Sequence, residues 1–110
     1  MGKNFGGYGG GNMQALMRQA QKLQEDMQKA QAELAETEFV GEGGGDLVSV
    51  TMKGDKTLVS VSIKPEAVDP DDIEMLEDLL VVAFNDATDK IAAETERVMG
   101  PYAGMLGGLM

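Results

Sequence analysis

Apolar side chains between residues 13 and 36 fall at Met13, Leu16, Ala20, Leu23, Met27, Ala30 and Leu34, in alternating steps of three and four. That is the heptad spacing of a helix with one narrow apolar seam. Strong helix formers fill the stretch, and neither Gly nor Pro interrupts it. Asn12 stands where an N-cap belongs. The flanks of the seam are polar, with glutamines at Gln14, Gln19, Gln21, Gln24, Gln28 and Gln31. An amphipathic helix lying on its own sheet fits this spacing. Pairing with another helix fits better, because the seam is so narrow.

The period then changes to two. Residues 37–42 predict a short strand with Phe39 on one face and Val40 on the other, followed by a Gly43-Gly44-Gly45 loop. Residues 47–53 alternate, with Val48, Val50 and Met52 on one face. Gly54-Asp55 predicts a tight turn of the kind with glycine first. Residues 57–64 alternate again, with Val59, Val61 and Ile63 inward and Ser60 and Ser62 outward, until Pro65 stops the strand. The expected result is a three-stranded antiparallel meander with one buried face.

A second long helix is expected over residues 70–99. Asp69 is its candidate cap and Pro70 its first helical position. Asp71, Asp72 and Glu74 load the positive end of the dipole, and Gly100-Pro101 is its stop. The stripe Ile73, Leu76, Leu80, Ala83, Phe84, Ala87 and Ile91 is widened by Leu79, Val81 and Val82. A centre this apolar needs two partners: the sheet, and a second copy of the chain. Leu79, Leu80, Val82 and Phe84 are therefore the expected dimer interface. The fold class is α+β: long helix, three-stranded antiparallel sheet, long helix. A flexible Gly-rich arm is expected at residues 1–12, one domain at 13–99 and a Gly/Met-rich tail at 100–110.

Composition narrows the function. The chain has 110 residues, no cysteine and no histidine. It lacks disulfides, thiolate metal sites and the commonest general base. No catalytic residue, metal site, cofactor or small-molecule substrate is expected. The Gly41-Glu42-Gly43-Gly44-Gly45 run fails as a phosphate cradle, because a strand follows it and not a helix N-terminus. The acids at Asp69, Asp71, Asp72 and Glu74 lack a calcium-loop pattern and read as helix caps. Met1-Gly2-Lys3-Asn4-Phe5 leads into glycines with no apolar run, and the longest apolar run covers only residues 79–84. Neither a secretory leader nor a membrane span is expected, and a cytosolic place is.

The net charge is −10, and the acids gather toward the C-terminus. Residues 66–110 hold eleven acids against Lys90 and Arg97 alone. A nucleic-acid role would have to use the near-neutral N-terminal part. There Arg18, Lys22 and Lys29 lie within about 40° of one another on a helix, opposite the seam. Such a stripe suits phosphate contact, and it is also what a solvated helix face carries.

The order of elements and several stretches resemble the YbaB/EbfC family of bacterial nucleoid-associated, DNA-binding proteins. The longest match is Ile63-Lys64-Pro65-Glu66-Ala67-Val68-Asp69-Pro70-Asp71-Asp72-Ile73-Glu74-Met75-Leu76-Glu77-Asp78-Leu79. Met17-Arg18-Gln19-Ala20-Gln21-Lys22-Leu23-Gln24 and Ala83-Phe84-Asn85-Asp86-Ala87 support it, as does the Gly43-Gly44-Gly45 segment before a Val-rich strand. The tail from Met99 to Met110 departs from the family's usual ending. The resemblance implies an intertwined, tweezer-like homodimer that binds and bends or compacts DNA with little sequence specificity, influences gene expression and resides on the cytoplasmic nucleoid. Arg18, Lys22 and Lys29 are the residues it carries over as DNA contacts, with Lys90 and Arg97 as weaker candidates. The alternative is a protein–protein adaptor acting with the replication, recombination or transcription machinery.

Overall fold

The computed structural model describes the backbone of residues 2–109 and the side chains of residues 12–103. Of the expected arm at 1–12 only Asn12, and of the expected tail at 100–110 only residues 100–103, fall among the described side chains. The element order is α1 (Gly2–Glu36), β1 (Glu38–Gly43), β2 (Val48–Lys53), β3 (Leu58–Ile63), a single 3-10 turn (Pro65–Ala67) and α2 (Ile73–Leu109). The fold is α+β, as the change of period from seven to two and back predicts. Asn12 stands inside α1 and does not cap it; asparagine within a helix costs only about 0.5 kcal/mol relative to alanine, too little to end one.

The sheet is antiparallel in the order β1-β2-β3. Pairing of Gly41 with Val50 and of Val50 with Val61 places Phe39, Gly41, Gly43, Val48, Val50, Met52, Val61 and Ile63 on one face. Helix α2 packs on that face, over β1 and β2. The core is Val48, Val50, Met52, Ala67, Ala83, Ala87 and Ile91, flanked by Phe39, Leu47, Leu76, Leu79 and Leu80. Small residues let helix and strand meet. A Cβ on Gly41 would lie 2.0 Å from the Ala83 carbonyl oxygen, and one on Gly43 would lie 2.2 Å from that of Leu79.

The second hairpin corrects the sequence reading. Its left-handed residue is Lys56, at φ 71°, and not Gly54. The Lys53 amide donates to the Thr57 carbonyl, Lys56 to Lys53, and the Thr57 amide to Asp55 Oδ1. The register shifts between Thr51 and Met52. Holding a lysine in this conformation costs about 1–2 kcal/mol. Gly54 is glycine for a different reason: a Cβ there would lie 1.9 Å from the Leu34 carbonyl oxygen, where α1 ends against the hairpin.

Both ends of α2 also differ from expectation. The helix begins at Ile73, capped by Asp72 Oδ1, which accepts the Met75 amide at 3.2 Å. Asp69 instead accepts the Asp71 amide at 3.0 Å, so residues 69–72 form a turn ahead of the helix. The expected stop fails as well, since Pro101 lies inside α2. A proline removes one i→i−4 bond and crowds the preceding turn, but it does not forbid helix beyond it.

Strand β3 is more exposed than its alternation predicts. Val59, Val61 and Ile63, expected to be buried, are 46%, 44% and 39% exposed, and Leu58 is 48% exposed. Val61 and Ile63 face the right way. One helix is simply too narrow to cover three strands, and α2 sits over the other two.

Candidate nucleic-acid interface

Successive residues of α1 turn by about 100° and rise by about 1.5 Å. Arg18, Lys22 and Lys29 therefore share one side of the helix along about 17 Å, and all three are exposed. Along the seam opposite, Leu23, Met27, Ala30 and Leu34 are half-buried, and α1 touches α2 and β2. Nearer the N-terminus, Met13, Leu16 and Met17 are 60–65% exposed.

The remaining bases are mostly engaged by the fold. Lys53 pairs with Glu36, Lys64 with Asp46, Lys90 with Asp86 and Arg97 with Glu94. Lys64 holds the Asp46 carboxyl below its ordinary value, and Arg97 does the same to Glu94. Lys90 also donates to the Val40 carbonyl at 2.7 Å. Lys90 is thus tied to the edge of β1, while Arg97 pairs with Glu94 within its own turn of α2 and stays exposed. Among the described residues, Arg18, Lys22 and Lys29 have no carboxylate within ion-pair distance.

These three are not equivalent. Residues 1–24 contain Lys3, Arg18 and Lys22 and not one Asp or Glu; all nineteen acids begin at Glu25. Lys29 has Glu25 and Asp26 in the turn before it and Glu33 in the turn after, so its field is largely cancelled. The sequence carries this boundary plainly, within the part that is near-neutral as a whole. Among the described residues, Arg18 and Lys22 are the cations on the acid-free segment.

The expected dimer residues separate into different surroundings. Leu79 is half-buried over the first hairpin loop, where a Cβ on Gly44 would lie 2.7 Å from its Cδ2. Val82 is exposed, but about 160° around the helix from Phe84. Leu80 and Phe84 do meet. With Val50, Leu58, Val61, Val81 and Asn85 they line an open groove of about 280 Å³ between α2 and β3. Leu58, Val61 and Val81 join them there, although the sequence reading does not group them with Leu80 and Phe84. Their signal lay in the second apolar stripe of α2, Ile73-Leu80-Val81-Phe84, set beside a strand that one helix cannot cover.

Among the described residues, no helix is long and apolar enough to cross a membrane. A sequence profile described as the YbaB/EbfC DNA-binding family matches residues 9–106. A "Nucleoid-associated protein" of Enterococcus faecalis is 50% identical over 100 residues, covering 90% of this chain and 96% of the relative. One of Streptococcus pneumoniae is 50% identical over 95 residues, covering 86% and 96%. The fold is similar to the crystal structure of an uncharacterized protein of Helicobacter pylori, with a TM-score of 0.66 at 19% identity over 80% of this chain and 92% of that one.

Proposed function

The chain belongs to the YbaB/EbfC DNA-binding family, and on that premise we propose that it is a homodimeric nucleoid-associated protein of the cytoplasm that holds DNA through the acid-free part of α1. The observation that carries this reading is the pairing pattern. The fold neutralises Lys53, Lys64, Lys90 and Arg97 with its own carboxylates and leaves Arg18 and Lys22 exposed on a segment without acids. Phosphate contacts of this kind position a protein on a duplex without reading its sequence. The body, from Glu25 onward, is strongly acidic and is repelled by DNA, so contact concentrates on residues 12–24 of α1, the DNA-binding arm of each copy. This is the chemistry of a binding protein and calls for no catalytic group.

The dimer part of the proposal rests on the groove beside β3. Leu58, Val61, Val81 and Phe84 are each 44–57% exposed on one continuous apolar surface. A second copy supplies a matching surface through a two-fold axis. Two arms then act together, which doubles the total number of phosphate contacts.

Replacing Arg18 and Lys22 with glutamate tests the DNA reading by gel shift on a short duplex. Loss of the shifted band, with helicity and association intact, is expected. Unchanged binding would contradict the placement of the site on α1.

A further inference from the structure

We propose that the glutamine face of α1 enters the major groove and reads adenine–thymine pairs, with Gln14 and Gln21 on adenine and Met17 against thymine methyl groups. The inference rests on the DNA-binding reading above and adds a source of base preference to it.

Helical geometry segregates the residue types of α1. Of the six glutamines between residues 12 and 36, five (Gln14, Gln21, Gln24, Gln28 and Gln31) fall in a sector of about 100°. The apolar seam borders that sector on one side, and Arg18 and Lys22 border it on the other. A solvated face would mix lysines and acids into the glutamines; this one does not up to residue 24. Gln14, Met17, Gln21 and Gln24 are all exposed, Met17 to 65%. Together with Arg18 and Ala20 they line one open concavity.

Each part matches a groove. A helix with its side chains is about 10–12 Å across, and the major groove is about 12 Å wide. A glutamine amide offers one donor and one acceptor, which complement adenine N7 and N6 together. Gln14 and Gln21, two turns apart on one side, reach separate base pairs. Met17 lies between them and offers an apolar contact for the thymine C5-methyl. No carboxylate is present on this stretch to accept from cytosine N4 or to be repelled by the phosphate walls. Arg18 and Lys22, some 40–100° further round, face the flanking strand's phosphates.

The test uses the full-length protein and fluorescence anisotropy with labelled 24-base-pair duplexes. One has an A·T core, one a G·C core, and one an A·T core in which 7-deazaadenine removes the N7 acceptor and leaves the minor groove unchanged. The wild type is expected to prefer the A·T duplex by roughly tenfold and to lose most of that preference on the 7-deazaadenine duplex. Gln14→Ala/Gln21→Ala is expected to bind the two natural duplexes within about twofold of each other, with G·C affinity and salt dependence unchanged. Equal wild-type binding to both natural duplexes overturns this inference alone. So does a preference that survives the double substitution or the deaza base, as does dissociation of the double variant's oligomer. Failure to bind any duplex overturns the DNA-binding reading and this inference with it.

Discussion

The Glu42 backbone amide donates to Asp86 Oδ2 at 2.9 Å, joining edge strand β1 to helix α2 across 44 positions of sequence. One turn further along α2, Lys90 donates to the Val40 carbonyl and pairs with Asp86. Residues 40 and 42 point their main-chain groups away from β2, so two side chains of α2 occupy the outer edge of β1. An edge with one amide and one carbonyl engaged in this way is a poorer template for another strand. The open edge of the sheet is β3, beside the uncovered groove.

Asp86→Ala is therefore expected to lower the melting temperature and to free the Glu42 amide for hydrogen exchange. The Asp86 carboxyl sits below its ordinary value of 3.8, chiefly because it accepts the Glu42 amide and secondarily through Lys90. A depressed carboxylate pKa stabilises above the unfolded value and loses that contribution as pH falls through the folded one. The Glu42 protection factor should hold at neutral pH and decline below pH 3.8. Protection indifferent to both the substitution and the pH would contradict the clamp.

Gly41 is a second point of tight specification. A Cβ there would meet the Ala83 oxygen at 2.0 Å and the Ala87 nitrogen at 2.4 Å, both of them backbone atoms that cannot swing aside. Gly41→Ala is expected to cost about 3 kcal/mol, the upper part of the range for overpacking, measured by urea unfolding. A loss below about 0.5 kcal/mol, within the scatter of neutral surface changes, would mean that helix and strand are not in this contact.

Much of this architecture was legible in the sequence. The alternation at Val48, Val50 and Met52 identified the buried face of β2 because every second residue of a central strand meets the same helix. The spacing from Leu23 to Leu34 placed the inner side of α1 for a similar reason. What escaped depends on contacts between distant segments. Gly54 reads as a turn glycine until the Leu34 carbonyl is seen against it. Asp69 and Asp72 are equally good caps by type, and only the turn at residues 69–72 decides between them. Val61 and Ile63 have the pattern of buried residues, and nothing local says that α2 lies over β1 and β2 instead. For the site, periodicity found Arg18, Lys22 and Lys29. The acids that begin at Glu25 rank them, and that boundary is in the sequence; what the sequence could not show is that Lys53, Lys64, Lys90 and Arg97 are paired within the fold.

Association should depend on the groove and not on apolar character along α2 in general. Val61→Asp and Phe84→Asp are each expected to give monomers by sedimentation equilibrium at micromolar concentration. Val82→Asp, on the far side of the same helix, is expected to leave association unchanged. It also controls for helix damage, since the same substitution is made two residues away. Dissociation by Val82→Asp with Phe84→Asp still associated would reverse the assignment of the interface.

The central claim is that DNA is held by Arg18 and Lys22 on the acid-free arm. Its most direct test is the salt dependence of duplex binding, read by fluorescence anisotropy, for the wild type and for Arg18→Glu/Lys22→Glu. Two arms carrying two cations each would neutralise about four phosphates, which gives a slope of log affinity against log salt of about −3.6. The double variant should show no measurable binding at salt concentrations where the wild type binds, while keeping its circular dichroism spectrum and sedimentation behaviour. Wild-type binding that is indifferent to salt, or a double variant that binds with the same slope, would contradict the account.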